Sequence, residues 1–167
     1  NTLKELAENI RKNVGFNSYN GGTIQVNLGE RKLKRLIGLG KLYADFPLAQ
    51  LPHPSFIIKK STLSKLNLPF DSNLMISADY KLQLILRKNN LWNNCYLNQI
   101  ISIMPTGGMS TYKKRSIISG YKETIIFSYK LYNLICIYII IIKLILNYYS
   151  RLETAKLKKF DININFF

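Results

Sequence analysis

The sequence predicts an α/β fold in a chain of 167 residues, which is long enough for one ordinary domain. Hydrophobic residues make up 47% of the chain and charged residues 20%, so a buried core is expected. Segments with the apolar spacing of amphipathic helices are interspersed with segments in which apolar and polar residues alternate, as in half-buried strands. A mixture of these two patterns along one chain is typical of α/β proteins.

The first third of the chain reads as helix, strand and helix. Apolar residues recur at helical spacing in the opening segment, at Leu3, Leu6, Ala7 and Ile10. A turn at residues 20–22 then leads into a strand in which Ile24, Val26 and Leu28 alternate with polar residues. The basic stretch 31–41 has leucines at helical spacing and a glycine near its end, and it predicts a short helix.

The middle of the chain is broken by prolines and then resumes regular structure. Three prolines within residues 47–54 predict irregular chain, and the apolar residues 56–58 predict a brief strand. Ser61 is expected to cap a short helix, and Ser77 a longer one that carries Asp79 in its first turn. Residues 95–103 then predict a strand that ends before a proline and a glycine-rich loop.

Residues 116–152 predict a long helix, so the chain divides into a region 1–115 and a C-terminal helical extension 116–167. The apolar run 131–142 in this helix is shorter than the roughly 20 residues that a bilayer requires. A buried helix or a helix at a membrane interface fits this length better. The isoleucines of the run also have strand propensity, which leaves a strand as a minor alternative.

The chain is strongly basic, with a formal net charge of +15 from 24 Lys and Arg against 9 Asp and Glu. This charge indicates an anionic partner, and nucleic acid, anionic lipid and phosphate-bearing substrates all remain open. The basic residues are scattered, so an ordinary solvated surface is an equally good reading. Cys95 and Cys136 lie in apolar segments without metal-ligand spacing, which favours a reducing compartment.

Three short elements follow one another at informative spacings. They are the segment LPHPSF at 51–56, the residues PFD at 69–71 followed by SADY at 77–80, and the loop GGMS at 107–110. Together they resemble the acceptor half of family 2 glycosyltransferases that build polysaccharides. In that family an HP or HQ strand precedes a GFD turn, an acidic ED or AD helix start and a GGxS loop. The resemblance covers roughly residues 1–125.

The resemblance implies a partial GT-A fold. The GT-A fold joins a nucleotide-binding half, which carries a metal-binding D-x-D motif, to an acceptor half that supplies the catalytic base. The present sequence contains no D-x-D and opens on Asn1 without an initiator methionine, so a fragment lacking the N-terminal nucleotide-binding half is expected. The resemblance implies a nucleotide-sugar donor, a glycan or lipid-linked acceptor, and Mg²⁺ or Mn²⁺ in the full-length parent.

Asp79 corresponds to the catalytic base of the family. An inverting transfer needs a group that takes the proton from the acceptor hydroxyl as this oxygen attacks the anomeric carbon, and an ionised carboxylate can do so. The first turn of a helix favours a negative charge, which suits this role. The same position also suits an aspartate that only stabilises the helix, and the resemblance favours the catalytic reading.

The resemblance also implies a set of substrate-binding residues. They are His53, Pro54, Ser55, Gly107, Gly108 and Ser110. The histidine is the only one in the chain and is a candidate ligand for a metal–diphosphate or for the acceptor. The two glycines would let backbone amides approach a phosphate or a sugar, with the serine donating a hydrogen bond. Read without the resemblance, the same glycines form an ordinary turn.

Two function classes therefore stand against each other. The first is a glycosyltransferase that lies in the cytoplasm, peripheral at the inner face of the cell membrane, with its basic surface and apolar helix on anionic lipid. The second is a non-enzymatic basic module that binds nucleic acid or anionic membrane. Nucleic-acid modules usually interleave basic and aromatic residues in a recognisable motif, and this sequence has none, so nucleic acid is the less favoured partner.

Overall fold

The computed structural model describes residues 2–27, 29, 32–39, 43, 46–67, 69–107 and 114–159. The elements in chain order are α1 (Thr2–Lys12), β1 (Ser18–Asn27), β2 (Lys32–Ile37), a 3-10 turn (His53–Ser55), β3 (Phe56–Ile58), α2 (Lys60–Leu63), α3 (Ala78–Lys88), β4 (Asn94–Pro105), α4 (Lys114–Tyr132) and α5 (Ile135–Lys159). Helices and a small sheet thus share the chain, which confirms the mixed α/β class.

Strand β1 is the centre of a four-stranded sheet. Strands β2 and β3 pair antiparallel with its C-terminal and N-terminal parts, while β4 runs parallel to it along most of its length. Successive residues of β1 point to opposite faces. Ile24 and Val26 join Leu36 in a buried apolar cluster, whereas Thr23 and Gln25 line a cavity on the other face.

Gly21 and Gly22 lie inside β1, so the turn predicted at residues 20–22 is wrong. The register between β1 and β4 shifts around Gly22, where the two backbones come close together. A Cβ atom on Gly21 would stand 2.5 Å from the carbonyl oxygen of Gln99 in β4. Glycine is therefore required here by the approach of a neighbouring strand rather than by a turn.

The helix predicted over residues 31–41 is also wrong, because Lys32–Ile37 form strand β2. A β-bulge lies in this pairing, in which Val26 is opposite Leu33 and Gln25 is opposite Arg35. The extra residue puts Leu33 and Leu36 against the same apolar cluster. Their three-residue spacing imitates a helix, although its cause is the bulge.

The long C-terminal helix is in fact two helices, α4 and α5, and the strand alternative is wrong. The break falls at Asn133, which has a φ of 56°, and asparagine tolerates this left-handed conformation. Helices α4 and α5 pack against each other, and α5 also contacts β2. Residues from the two halves of the chain thus pack together in two buried clusters. Ile142 and Leu146 of α5 join Leu51 in one cluster, and Ile139 of α5 joins Tyr80 in the other.

The two C-terminal helices and the turn that joins them also expose many large apolar side chains. These are Ile117, Ile118, Ile125, Ile126, Tyr129, Leu134, Ile135, Ile137, Tyr138, Ile141, Leu144, Ile145, Tyr148 and Leu152. The segment Ile135–Leu157 is long and apolar enough to cross a membrane by length and composition alone, although core helices of soluble proteins pass the same criterion. The apolar stretch is therefore longer than the sequence run 131–142 indicates. Only 28% of its most apolar window is buried, so most of this surface has no protein partner among the described residues.

Candidate active site

His53 and Asp79 lie side by side, although they are distant in sequence. The Nδ1 atom of His53 is 3.1 Å from Oδ2 of Asp79, so the imidazole donates a hydrogen bond to the carboxylate. This hydrogen bond and the negative charge raise the pKa of His53 above its ordinary value, against the opposing effect of partial burial. The two most important residues of the predicted site therefore form a pair.

The 3-10 turn that carries His53 is fixed to the sheet through Ser55. Ser55 is fully buried, and its hydroxyl donates a hydrogen bond of 2.7 Å to the carbonyl oxygen of Gly21 in β1. Pro52 precedes the turn with an extended backbone, and Pro54 lies beside His53 in the wall of the cavity. The structure thus brings Pro54 into the candidate site, while Ser55 lies beneath it and positions the histidine.

Asp79 is positioned by a carboxylate from the neighbouring helix α4. Glu123 accepts hydrogen bonds from three consecutive backbone amides, those of Met75, Ile76 and Ser77, at 3.2, 3.1 and 2.9 Å. These amides precede the first turn of α3, where Asp79 lies. The side chain of Glu123 therefore fixes the chain that carries the candidate base.

Ser77 is the N-cap residue of α3, as its sequence position predicts, but its hydroxyl makes no capping hydrogen bond. It donates instead to the carbonyl oxygen of Gly120 at 3.0 Å. A Cβ atom on Gly120 would meet Ile76 at 3.1 Å, so the absence of a side chain lets α4 approach this segment closely. Helix α4 thus holds the start of α3 through both a hydrogen bond and close packing.

The second carboxylate oxygen of Asp79, Oδ1, is buried and has no hydrogen-bond partner among the described residues. A buried acceptor without a partner costs stability, and such groups are typical of sites that bind or react. The carboxylate thus has one oxygen held by His53 and one buried oxygen that receives no hydrogen bond from any described residue.

Asp79 and His53 line a cavity of about 470 Å³ between the sheet and the helices. Its wall is built by residues from β1, β2, the 3-10 turn, α3, the end of β4, α4 and α5. A volume in this range suits a small-molecule ligand. Asp79 is the only carboxylate among the described residues that line it.

Arg35 of β2 contributes a positive charge to the wall. Its Nε atom donates to the hydroxyl of Ser150 and its Nη2 atom to Oδ1 of Asn147, both at 2.8 Å. Both acceptors are uncharged residues of α5, so the guanidinium is oriented without being neutralised. Burial lowers the pKa of Arg35, which still leaves an arginine charged at neutral pH.

Lys143 of α5 contributes a second positive charge. Its amine donates a hydrogen bond of 3.2 Å to Thr124 and lies 5.0 Å and 5.7 Å from the ring centres of Tyr121 and Tyr80. Burial lowers the pKa of Lys143 to about 8, while the negative charge of Asp79 acts in the opposite direction. The amine is therefore mostly protonated at neutral pH and close to its titration range.

The sequence patterns did not single out these cations, but one signal was present. Lys143, Asn147 and Arg151 recur every four residues in an otherwise apolar helix, and this spacing places them on one face. All three line the cavity, and Arg151 is exposed at its wall. No comparable signal exists for Arg35, because its side chain meets α5 only through the tertiary fold.

The glycine loop is described only at its start. Gly107 follows β4 with a φ of 100°, a conformation that favours glycine, and it is not among the residues that line the cavity. Gly108 and Ser110 lie outside the described residues. Their substrate-binding role stays a prediction.

The described residues do not by themselves provide a site for Mg²⁺ or Mn²⁺. No group of three or more His, Cys, Asp or Glu side chains comes together in the described part of the chain. His53 and Asp79 supply two donors, but these are hydrogen-bonded to each other, and the cations Arg35 and Lys143 line the same cavity. Magnesium prefers near-octahedral oxygen ligands, which this pair does not offer.

Comparisons with known proteins found no matching family model, no matching curated protein and no matching solved structure. The functional interpretation therefore depends on the sequence motifs and on the geometry of this cavity.

Proposed function

We propose that this chain forms the acceptor side of an inverting, family 2-like glycosyltransferase, which moves a sugar from a nucleotide-sugar to a glycan or a lipid-linked acceptor. The observation that carries the proposal is the His53–Asp79 pair, 3.1 Å apart in the wall of a cavity. The motif resemblance independently assigns both residues to one site, and two distant parts of the chain bring them together. The GT-A fold is part of this proposal.

Asp79 acts in this reaction as the general base. The acceptor oxygen attacks the anomeric carbon, the bond from that carbon to the nucleoside diphosphate breaks, and the acceptor proton passes to the carboxylate. His53 holds the carboxylate through Oδ2, and Oδ1 has no partner among the described residues. The diphosphate leaves with the electron pair of the broken bond.

The metal and the nucleoside of the donor would be held by residues beyond those of this cavity. The family holds the nucleotide and its metal with a D-x-D motif, which the 167 residues do not contain. Strand β4 pairs only with β1 among the described strands, and Ile103 on β4 is 53% exposed. An edge strand of this kind can accept further strands, which fits a nucleotide-binding half at this side.

A membrane-peripheral location on the cytoplasmic side is the second part of the proposal. The net charge of +15 favours anionic lipid, and the exposed apolar side chains of α4 and α5 suit an interfacial position. Helix α5 contributes buried residues to the core and polar residues to the cavity, so one of its faces belongs to the protein. We therefore propose that α5 lies at the interface and does not span the bilayer.

The catalytic part is tested by sugar transfer. The protein, expressed with any further residues that its gene encodes, is incubated with labelled nucleotide-sugars and membrane acceptors. Asp79→Asn should lower the rate by about 10² to 10⁴ because it removes the base and keeps the shape. Glu153→Gln is the control, since Glu153 pairs with Lys156 on α5 and does not line the cavity. Undiminished transfer by Asp79→Asn would contradict the assigned base.

The location is tested with liposomes. Anionic vesicles should bind the protein more strongly than neutral ones, and salt should weaken binding, because each basic residue near an anionic surface contributes about 1 kcal/mol. The double variant Ile137→Asp with Ile141→Asp should fold and lose binding, since both side chains are exposed on α5. Ile103→Asp is the control, an exposed isoleucine on the sheet. Binding that resists salt and is released only by detergent would indicate a true span.

A further inference from the structure

We propose that Arg35, Lys143 and Arg151 form a phosphate-binding subsite in the same cavity as the His53–Asp79 pair. The ligand class is a phosphate monoester or diphosphate with an apolar or sugar-bearing substituent. The inference rests on the proposed function for its place in the reaction, whereas phosphate binding itself can be measured without any sugar transfer.

The wall of the cavity carries more positive than negative side chains. Three cationic side chains line it together with His53, against a single carboxylate among the described lining residues. That carboxylate is already hydrogen-bonded to His53. Within the described part of the chain, none of the three cations has an ion-pair partner, although ion pairs exist elsewhere on the molecule. A concave wall with this balance attracts an anion.

Arg35 is oriented by hydrogen bonds to uncharged side chains. Ser150 and Asn147 accept hydrogen bonds from one edge of its guanidinium, and both side chains belong to α5. In turn, Asn147 donates a hydrogen bond of 3.3 Å to the hydroxyl of Tyr121 on α4. A guanidinium oriented by neutral groups keeps its full charge, and its planar donor arrangement matches the oxygens of a phosphate.

Lys143 is also oriented by uncharged groups. Its amine is enclosed by two tyrosine rings and bonded to a threonine hydroxyl, so it is oriented but not neutralised. Lys143 lines the same cavity as Asp79, and the negative charges of Asp79 and Glu123 both favour its protonated form. A partly buried cation without an ion pair costs stability, and a bound anion would offset that cost.

The cavity wall also has apolar side chains that fit the substituent attached to the phosphate. Ile117, Leu144 and Tyr148 line the cavity and are also among the exposed apolar side chains of α4 and α5. The cavity wall is thus continuous with the apolar surface that we assign to the membrane interface. A phosphate with an attached apolar chain fits both the cationic wall and the apolar surface beside it. The phosphates of a nucleotide fit the cationic wall alone.

Calorimetric titration tests the subsite with three probes, which are inorganic phosphate, octyl phosphate and uridine diphosphate. All three should bind the unmodified protein, with tighter binding of octyl phosphate indicating a lipid phosphate and tighter binding of uridine diphosphate indicating the donor. Lys143→Met and Arg35→Gln should each lower affinity about tenfold or more, because each removes a charged hydrogen-bond donor. Arg11→Gln on α1 is the matched control, since Arg11 is exposed and does not line the cavity.

Arg35 also holds α5, so its variant could lose affinity through unfolding. Arg151→Gln avoids this ambiguity, because Arg151 is exposed and makes no hydrogen bond to any described residue. It should lower phosphate affinity by a factor of about three to ten while the thermal transition stays unchanged. Equal affinity of this variant, of Lys143→Met and of the unmodified protein would overturn the subsite. Phosphate binding that depends on these residues, in a protein that transfers no sugar, would overturn the proposed function alone.

Discussion

Two walls of one cavity differ in charge and in the way the chain builds them. The wall made by the 3-10 turn and α3 carries the His53–Asp79 pair, held by Ser55 and Glu123 through backbone hydrogen bonds. The wall made by β2 and α5 carries cations that are held by neutral side chains. The difference fits the roles that we propose, in which one wall moves a proton and the other holds a phosphate.

Asp79→Asn should have the largest effect, and it should change sugar transfer and phosphate affinity differently. Sugar transfer should fall by about 10² to 10⁴, because the proton acceptor is lost. Phosphate affinity should stay the same or rise, because a negative charge leaves the cavity. Rates and affinities measured on one preparation give the comparison. A parallel fall of both quantities would show that the aspartate maintains the whole cavity.

The next largest effect should come from Glu123→Ala, which removes the acceptor for three backbone amides before α3. We expect a loss of about 1 to 3 kcal/mol in the free energy of unfolding, measured in urea. Glu153→Ala is the control, because among the described residues Glu153 pairs only with Lys156, one turn away on α5. Equal stability of the two variants would mean that Glu123 does not fix the start of α3.

The affinity of the cationic wall for an anion should depend on pH. Burial lowers the pKa of Lys143 to about 8, so its amine loses its charge as pH rises from 7 to 9. The charged and titratable groups near it are Asp79, Glu123, Tyr80, Tyr121, Arg35, Arg151, Tyr43 and His53. Affinity for sulfate, whose own charge is constant in this range, should fall by about threefold to tenfold. Lys143→Met should flatten the profile, and an unchanged slope in that variant would assign the titration to another group.

The smallest effect should come from His53. Its pKa is raised in the folded protein, so protonation stabilises the fold. This contribution is fully present below the unfolded pKa of about 6.5 and is lost as pH rises through the folded pKa. Between pH 5.5 and 8.5 the unmodified protein should lose more stability than His53→Gln, by less than about 1 kcal/mol, since the side chain is 64% exposed. If the urea midpoint changed equally between the two pH values in the unmodified protein and in His53→Gln, the hydrogen bond would be contradicted.

The sequence predicts much of this structure where one element determines its own pattern. Helices α1 and α3 and strand β4 follow directly from apolar spacing. His53 precedes β3 and α3 in the predicted order, but it lies on a 3-10 turn where irregular chain or a strand was expected. Ser61, expected to cap α2, lies inside that helix, whose N-cap is Lys59. The pairing of these two residues was accessible only through the motif resemblance, because they lie on separate elements and meet through the tertiary fold.

What the sequence does not predict has tertiary causes. The bulge in β2 gives a strand the leucine spacing of a helix, and the approach of β4 explains Gly21 inside β1. The break at Asn133 falls within a continuous apolar pattern, where periodicity has no signal. Arg35 joins the site only because β2 packs on α5, so its role was not visible in the basic stretch 31–41.

The proposed active site depends most directly on the His53–Asp79 pair, and the single histidine of the chain allows a direct measurement. Proton NMR follows the one imidazole resonance through a pH titration in the unmodified protein, in Asp79→Asn and in Asp71→Asn. The structure predicts a His53 pKa above 6.5 in the unmodified protein and in Asp71→Asn, and a lower value in Asp79→Asn. Added phosphate should raise it further in the unmodified protein, because an anion in the cavity stabilises the imidazolium. The same titration curve in all three proteins, unaffected by phosphate, would contradict both the pair and the cavity that we assign to it.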